Sequence, residues 1–104
     1  MRLGGYTKVG RKAYVRFEWN IRKAAANLRK HGVSFDEAAS VFLDPLSATG
    51  DDPDHSIDEK RFVTFGISSS GCLLVVGHVH LDDVIRIITA RLAGRAERKL
   101  YEEG

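Results

Sequence analysis

Cysteine, proline and long apolar segments are scarce in this sequence, and each scarcity excludes a class of protein. The 104 residues include one Cys and two Pro. A single Cys permits neither an intrachain disulfide nor a zinc site of the CxxC type, which favours a cytoplasmic location. The longest apolar runs span four or five residues, as in 72–76, whereas a transmembrane helix needs about 20. The N-terminal region has no apolar stretch followed by a cleavage site, so we do not expect export.

The sequence is rich in charge of both signs, and the two signs are separated along the chain. The net charge is only +2. Residues 1–35 hold nine basic residues and one acidic residue, residues 36–60 hold eight acidic residues and one Lys, and residues 61–104 hold six basic and five acidic residues. Separated charges create local fields that steer ligands, so the net charge alone indicates little about the partner.

Hydrophobic periodicity predicts a single α+β domain over residues 14–104, preceded by a flexible N-terminal arm over residues 1–13. The predicted elements are strand 14–19, helix 21–31, helix 34–42, strand 46–50, strands 60–67, 72–79 and 84–91, and helix 92–103. This order predicts a compact antiparallel β-sheet of about four to five strands, with two N-terminal helices and one C-terminal helix. Three short helices do not cover both faces of such a sheet, so we expect a ligand on the open face.

The boundaries of the first two helices are predicted from capping residues. Asn20 precedes the first helix as an N-cap, and Gly32 follows it as a left-handed C-cap. Ser34 and Glu37 have the spacing of a capping box, in which each side chain satisfies a free backbone N–H of the other residue.

Common catalytic motifs are absent, including the Walker loop, GxGxxG, HExxH and GxSxG. Cys72 lies in an apolar strand, where a Cys is usually a small buried hydrophobe. His78 and His80 share a strand face, but no further ligand stands at a known spacing, and catalytic zinc needs three protein ligands. His31, at the end of the first helix, is expected to stabilise the helix dipole. We therefore predict no metal site and no cofactor.

Arginines within apolar strands are the most informative residues for function. Arg61 and Arg86 lie inside predicted strands, and Arg91 lies where the last strand ends. Each one either forms a surface salt bridge or belongs to a phosphate clamp, because guanidinium groups match phosphate oxygens and stay charged. Phosphodiester cleavage without a metal needs such groups to stabilise the charge that develops on the phosphorane.

Such cleavage also needs groups that accept and donate protons. The candidates are His55, Glu59 and Tyr101. His55 lies in an acidic loop, where it is either a solvated residue or a general acid or base. Glu59 and Arg61 are two positions apart, so we expect them to share a strand face, where they act together or neutralise one another.

Strand parity complicates the arginine clamp. Arg86 and Arg91 are five positions apart, and a regular strand points such residues to opposite faces. They converge only if the strand twists, bulges or ends before Arg91. We expect the strand to end before Arg91.

The first predicted helix carries a basic stripe. Its members are Arg22, Lys23, Arg29 and Lys30. The stripe either binds the backbone of RNA or is a solvated helix face, which is the more common situation.

Ordered motifs over about residues 15–104 resemble the BrnT toxin family. They comprise residues 17–20 and 30–38, VFLDPL at 41–46, DPDH at 52–55 with EKRF at 59–62, and IRIITAR at 85–91. Three positions depart from the family pattern: Asn20 replaces an expected Asp and keeps its capping ability, while Cys72 and Leu92 stand where polar or basic residues are common. Cys72 and Leu92 reduce the positive charge of the surface near the sheet.

The resemblance implies the toxin of a type II toxin–antitoxin system with a RelE-like fold. The implied activity is metal-independent endoribonuclease cleavage that inhibits translation. The implied partners are RNA, a BrnA-like ribbon-helix-helix antitoxin, and operator DNA reached through that antitoxin in operon autoregulation. No catalytic set is carried over from the family. Two alternatives stay open, namely a catalytically degenerate toxin that acts as an antitoxin-binding corepressor, and a nucleic-acid-binding module.

Overall fold

The computed structural model describes the backbone of residues 2–8 and of residues 14–104, with side chains from Val15 onward. The strands are β1 (Arg2–Lys8), β2 (Tyr14–Trp19), β3 (Ala48–Asp51), β4 (Phe62–Ile67), β5 (Leu73–Leu81) and β6 (Val84–Leu92). The helices are α1 (Ile21–His31), α2 (Phe35–Ser40) and α3 (Arg95–Glu103), and two 3₁₀ turns span Val41–Leu43 and Pro53–His55. No helix in these ranges is long and apolar enough to cross a membrane.

Five strands lie within the predicted domain, and β1 adds a sixth at one edge of the sheet. Residues 1–13 were predicted to form a flexible N-terminal arm. Arg2–Lys8 instead pair antiparallel with β2, and the rest of the predicted arm lies outside the described residues.

The sheet is mixed, with strand order β1-β2-β6-β5-β4-β3. The prediction of an antiparallel sheet was right for every neighbouring pair except β2 and β6, which run parallel. The two strands are far apart in sequence and joined through both N-terminal helices. No hairpin therefore dictates the direction of their pairing. The prediction of two N-terminal helices and one C-terminal helix is confirmed.

The helix caps form largely as predicted. The Asn20 side chain accepts hydrogen bonds from the backbone N–H groups of Arg22 and Lys23, and Gly32 closes α1 with a φ of 71°. The Ser34 hydroxyl accepts the Glu37 N–H at 3.0 Å. The Glu37 carboxylate accepts hydrogen bonds from the hydroxyls of Ser68 and Ser70 instead of from the Ser34 N–H. Only one of the two hydrogen bonds of the expected capping box therefore forms.

The core lies between one face of the sheet and helices α1 and α2. Its largest buried members include Phe17, Phe35, Leu74 and Ile87. Gly66 of β4 lets the segment after α2 approach closely, because a Cβ at this position would lie 2.6 Å from a methyl group of Val41.

A bulge at Ile88 decides which side chains reach the opposite face. The register pairs His78 with Ile87 and Gly77 with Thr89, so Ile88 has no partner on β5. The extra residue shifts the parity of β6. Arg86 and Arg91 therefore share the face opposite the core. Since β6 continues to Leu92, the expectation that the strand ends before Arg91 was wrong, and the bulge brings the two arginines to one face.

Asn27 fixes α1 against β6 at this bulge. Strand β2 pairs with β6 only as far as Arg86, which leaves the backbone of Ala90 without a strand partner on that side. The Asn27 side chain fills the gap, donating to the Ala90 carbonyl at 2.8 Å and accepting the Ala90 N–H at 3.1 Å. It also donates to the Val33 carbonyl at 3.0 Å. The buried amide thus takes the place of a strand and holds α1 beside residues 88–90.

His78 is completely buried, next to His80 and Phe62. Its Nε2 lies 2.7 Å from the Thr64 hydroxyl, and its Nδ1 has no hydrogen-bond partner among the described residues. Burial, reinforced by the neighbouring His80, lowers the pKa of His78 to about 3. The neutral ring is therefore the form that fits the native structure.

Acidification is expected to destabilise the fold through His78. Its native pKa lies below the unfolded value of 6.5, so its contribution is complete above pH 6.5 and is lost as the pH falls towards 3. The expected loss is about 2 kcal/mol in the free energy of unfolding between pH 6.5 and pH 5.

Urea denaturation at a series of pH values measures this loss. His78→Gln, which does not titrate, should remove most of the slope. His80, Asp44 and Glu97, whose pKa values are also lowered in the native structure, contribute the slope that remains. Equal slopes for the wild type and His78→Gln would contradict the prediction.

Candidate active site

The segment between β3 and β4 is a closed loop whose two ends meet. Antiparallel pairing places Asp51 opposite Phe62, and beyond this pair the Asp52 N–H donates to the Arg61 carbonyl at 2.9 Å. The Ser56 hydroxyl donates to the Asp52 carbonyl at 2.6 Å and accepts the Arg61 N–H at 2.9 Å. This closure brings residues from the start of the loop beside Arg61.

Asp52 and His55 form a pair at the start of the loop. The 3₁₀ turn Pro53–His55 places His55 Nδ1 at 2.9 and 3.1 Å from the two Asp52 carboxylate oxygens. A carboxylate accepts hydrogen bonds, so in the neutral ring the tautomer with the proton on Nδ1 fits this contact and leaves Nε2 as the acceptor nitrogen. The His55 side chain is 66% exposed, which leaves Nε2 available to accept a proton from a ligand.

Arg61 forms no ion pair with a described carboxylate, although the Asp52 carboxylate lines the same cavity. Its Nε is buried without a hydrogen-bond partner, and none of the ion pairs within residues 15–104 includes it. Arg61 lines a cavity of about 80 Å³ together with Asp52, His55, Gly77, Ile88 and Thr89. A half-buried guanidinium of this kind is a binding group for an anion such as a phosphate.

Gly77 and Thr89 form part of the cavity wall and were missed in the sequence analysis. A Cβ on Gly77 would lie 2.7 Å from the Thr89 hydroxyl oxygen, so the hydroxyl lies over the glycine. A glycine in the middle of an apolar strand indicates a close approach, and this signal was available in the sequence. The position of Thr89 depends on the bulge, for which no local residue pattern gave a signal.

Arg86 and Glu59 contact one another, and Glu59 lines a second cavity with Arg61. The Arg86 guanidinium lies 3.4 Å from Glu18 and 3.7 Å from Glu59, and the Arg86 side chain is 25% exposed. Two carboxylates therefore offset its charge. The expectation that Glu59 and Arg61 share a strand face was wrong, because β4 begins only at Phe62 and the loop directs Glu59 to Arg86.

Arg91 is engaged with α3. Its guanidinium binds Glu97 through two hydrogen bonds of 2.8 and 2.5 Å. These bonds raise the pKa of Arg91 and lower the pKa of Glu97 to about 2. Glu97 also accepts the Gly94 N–H at 2.8 Å, so Arg91 holds the start of α3. Arg91 does not line the cavity beside Arg61.

Tyr101 is engaged with the segment before β3. Its hydroxyl donates to the Asp44 carboxylate at 2.5 Å, and this bond raises the pKa of Tyr101 to about 12. Such a hydroxyl holds its proton near neutral pH. Tyr101 therefore fastens α3 to the rest of the domain and, like Arg91, is not brought to the cavity.

The basic stripe of α1 divides into two pairs. Lys23 and Lys30 line a groove of about 310 Å³ between α1 and the bulge of β6. Arg22 and Arg29 are exposed and do not line this groove. Within the described parts of the chain, no cluster of three or more His, Cys, Asp or Glu side chains has the arrangement of a metal site.

Fold and site together define a small α+β domain in which one cavity holds a histidine–carboxylate pair and an arginine without an ion-pair partner among the described residues. A family model described as "Ribonuclease toxin, BrnT, of type II toxin-antitoxin system" matches residues 19–97. The match covers most of the chain, so the chain belongs to the BrnT family of ribonuclease toxins. No curated protein matches the sequence.

Proposed function

We propose that this toxin is a metal-independent endoribonuclease whose active site is the cavity formed by Asp52, His55 and Arg61. The observation that carries the proposal is the Arg61 guanidinium, which has no carboxylate partner among the described residues and lies in one small cavity with a histidine–aspartate pair. A cationic donor beside a proton acceptor is the pair of groups that metal-free phosphodiester cleavage requires.

In the proposed reaction, the ribose 2′-hydroxyl attacks the adjacent phosphorus atom. His55 Nε2 accepts the proton of this hydroxyl, and Asp52 stabilises the imidazolium that forms, as a carboxylate does when it orients a catalytic histidine. Arg61 donates hydrogen bonds to the phosphate oxygens and offsets the charge that develops on them. The 2′-oxygen–phosphorus bond forms, the bond to the 5′-oxygen breaks, and solvent water protonates the leaving oxygen. The products are a 2′,3′-cyclic phosphate and a 5′-hydroxyl.

The other predicted catalytic residues have positioning roles in this proposal. Arg86 and Glu59 connect the loop over residues 52–61 to Glu18 of β2. Arg91 and Tyr101 fix α3. These four residues hold elements in place and do not contact the phosphate.

The proposal includes the biological setting that accompanies such a toxin. We infer that RNA cleavage inhibits translation in the cytoplasm, and that a ribbon-helix-helix antitoxin neutralises the toxin and represses the operon with it. The family supports an antitoxin partner and an RNA substrate, and the segregated basic and acidic segments provide surfaces for both.

Cleavage of RNA by the purified toxin is expected to persist in excess EDTA and to require the 2′-hydroxyl. The measurement is gel analysis of a labelled oligoribonucleotide and of the same oligonucleotide with a single 2′-deoxy residue at the cut position. We expect 2′,3′-cyclic phosphate ends on the first substrate and no cut at the modified position.

Activity that EDTA abolishes and Mg²⁺ restores would overturn the metal-free mechanism. No cleavage and no growth arrest on induction without antitoxin would favour the corepressor alternative.

A further inference from the structure

We propose that the groove between α1 and the bulge of β6 is a second phosphate subsite, which binds the RNA strand next to the scissile phosphate through Lys23 and Lys30. This inference rests on the proposed ribonuclease function and assigns a binding site for the flanking nucleotides. It divides the basic stripe of α1 into a pair that contacts substrate and a pair, Arg22 and Arg29, that does not.

The first observation is that the groove and the active-site cavity are adjacent and share part of their walls. Ile88 and Thr89 line both. The bulge at Ile88 therefore forms the boundary between the cavity of Arg61 and the groove of Lys23 and Lys30. A strand whose scissile phosphate contacts Arg61 passes over Thr89 and enters the groove, which has about 310 Å³ for a flanking nucleotide against about 80 Å³ in the cavity.

The second observation is that the helix is fixed with these two lysines on its groove side. Asn27, which binds the backbone of Ala90, lies four residues after Lys23 and three before Lys30. Residues at these spacings lie on one side of a helix, one turn apart. The two hydrogen bonds between Asn27 and Ala90 thus fix the distance and rotation of α1 relative to β6, and with them the backbone positions of both lysines.

The third observation is electrostatic. No acidic residue lies in α1, and neither lysine belongs to an ion pair within residues 15–104. A cation near the C-terminus of a helix is stabilised by the helix dipole, which explains Lys30 without any ligand. Lys23 and Arg22 both lie in the first turn, where the dipole opposes a cation, so the dipole accounts for neither. Lys23 differs from Arg22 in that it lines the groove, where an anionic ligand would offset its charge.

The composition of the groove favours single-stranded RNA. Proteins bind single strands in a cationic groove that follows the backbone. Ala26 and Ile88 offer apolar contact to a ribose or base, while Lys23, Lys30, His31 and Thr89 offer polar contacts.

The test compares two double variants of equal charge on two substrates. Lys23→Ala/Lys30→Ala removes the groove cations, and Arg22→Ala/Arg29→Ala removes the same charge from the outer side of the same helix. The substrates are an oligoribonucleotide of six residues and a dinucleoside monophosphate, which contains only the scissile phosphate. Circular dichroism melts confirm that both variants are folded.

The lysine variant is expected to lower kcat/KM about tenfold on the longer substrate and less than about twofold on the dinucleotide, because each lost phosphate contact removes a counterion-release contribution. The arginine variant should stay within about twofold of the wild type on both substrates. Equal losses in the two variants, or equal losses on the two substrates for the lysine variant, would overturn the subsite.

A binding measurement separates failure of the subsite from failure of the proposed function. A 2′-O-methyl hexamer has no free 2′-hydroxyl and is therefore not cleaved. Its affinity, measured by fluorescence anisotropy, reports binding in the groove even if the wild type cuts neither substrate. The slope of log K against log salt should fall by about 0.7 for each lysine that contacts a phosphate. An unchanged slope and affinity in the lysine variant would reject the subsite whatever the catalytic result.

Discussion

Replacement of Arg61 by alanine is expected to lower the rate of RNA cleavage about 100-fold while the domain stays folded. Loss of one group that stabilises developing negative charge typically reduces kcat by this factor or more. Arg61 has no ion-pair partner in the described structure, so its removal leaves no carboxylate without a cation. Single-turnover cleavage of a labelled oligoribonucleotide measures the rate, and a thermal melt verifies the fold.

Arg86→Ala is the matched comparison for this prediction. Glu59 lines a cavity with Arg61 and binds Arg86, but Glu18 and Glu59 already offset the charge of Arg86. We expect less than about a tenfold loss for Arg86→Ala, with a fall in the melting temperature because the link between β2 and the loop is broken. Arg61→Lys should recover part of the activity, since it restores charge without the two-pronged guanidinium. A larger loss of catalysis in Arg86→Ala than in Arg61→Ala would show that the clamp is assigned to the wrong residue.

Local signals allowed much of the fold to be predicted from sequence. The caps at Asn20 and Gly32 act over a few residues, so the pattern alone indicated both ends of α1. The parallel pairing of β2 with β6 depends on contacts between distant segments, which no local pattern encodes. The bulge at Ile88 likewise lies in a run of apolar residues without a Gly or Pro to mark it.

The candidate site was predicted only in part, for the same physical reason. His55 and Arg61 were identified by residue type, and closure of one short loop brings them together. Asp52 was assigned only to a loop, although its spacing to His55 within a turn allows the hydrogen bond that forms. Glu59 was expected to lie beside Arg61. Its partner is Arg86, because the path of the loop, which the sequence pattern does not reveal, sets its direction.

His55→Ala is expected to reduce cleavage at least about 100-fold, the usual contribution of a general base. The side chain is 66% exposed, and within residues 15–104 its polar contacts are to Asp52 alone, so the loss of activity should come without a large change in stability. Added imidazole should restore part of the activity, because the small base can occupy the space of the missing ring. It should not restore Arg61→Ala, which lacks a cation and keeps its base.

Asp52→Asn separates the two partners of this pair. An amide keeps the shape of the carboxylate but does not stabilise an imidazolium, so we expect the cleavage rate to fall about tenfold or more. Added imidazole should not restore this rate. Imidazole that failed to rescue His55→Ala in a folded variant, together with full activity of Asp52→Asn, would show that the histidine has no part in proton transfer.

The base would then have to be sought among the carboxylates of the same loop, where Glu59 lines a cavity with Asp54, His55 and Arg61. Because Arg86 binds Glu59, Arg86→Ala would in that case change the cleavage rate as strongly as Glu59→Gln does. Comparison of the cleavage rates of these two variants with that of His55→Ala then identifies the base.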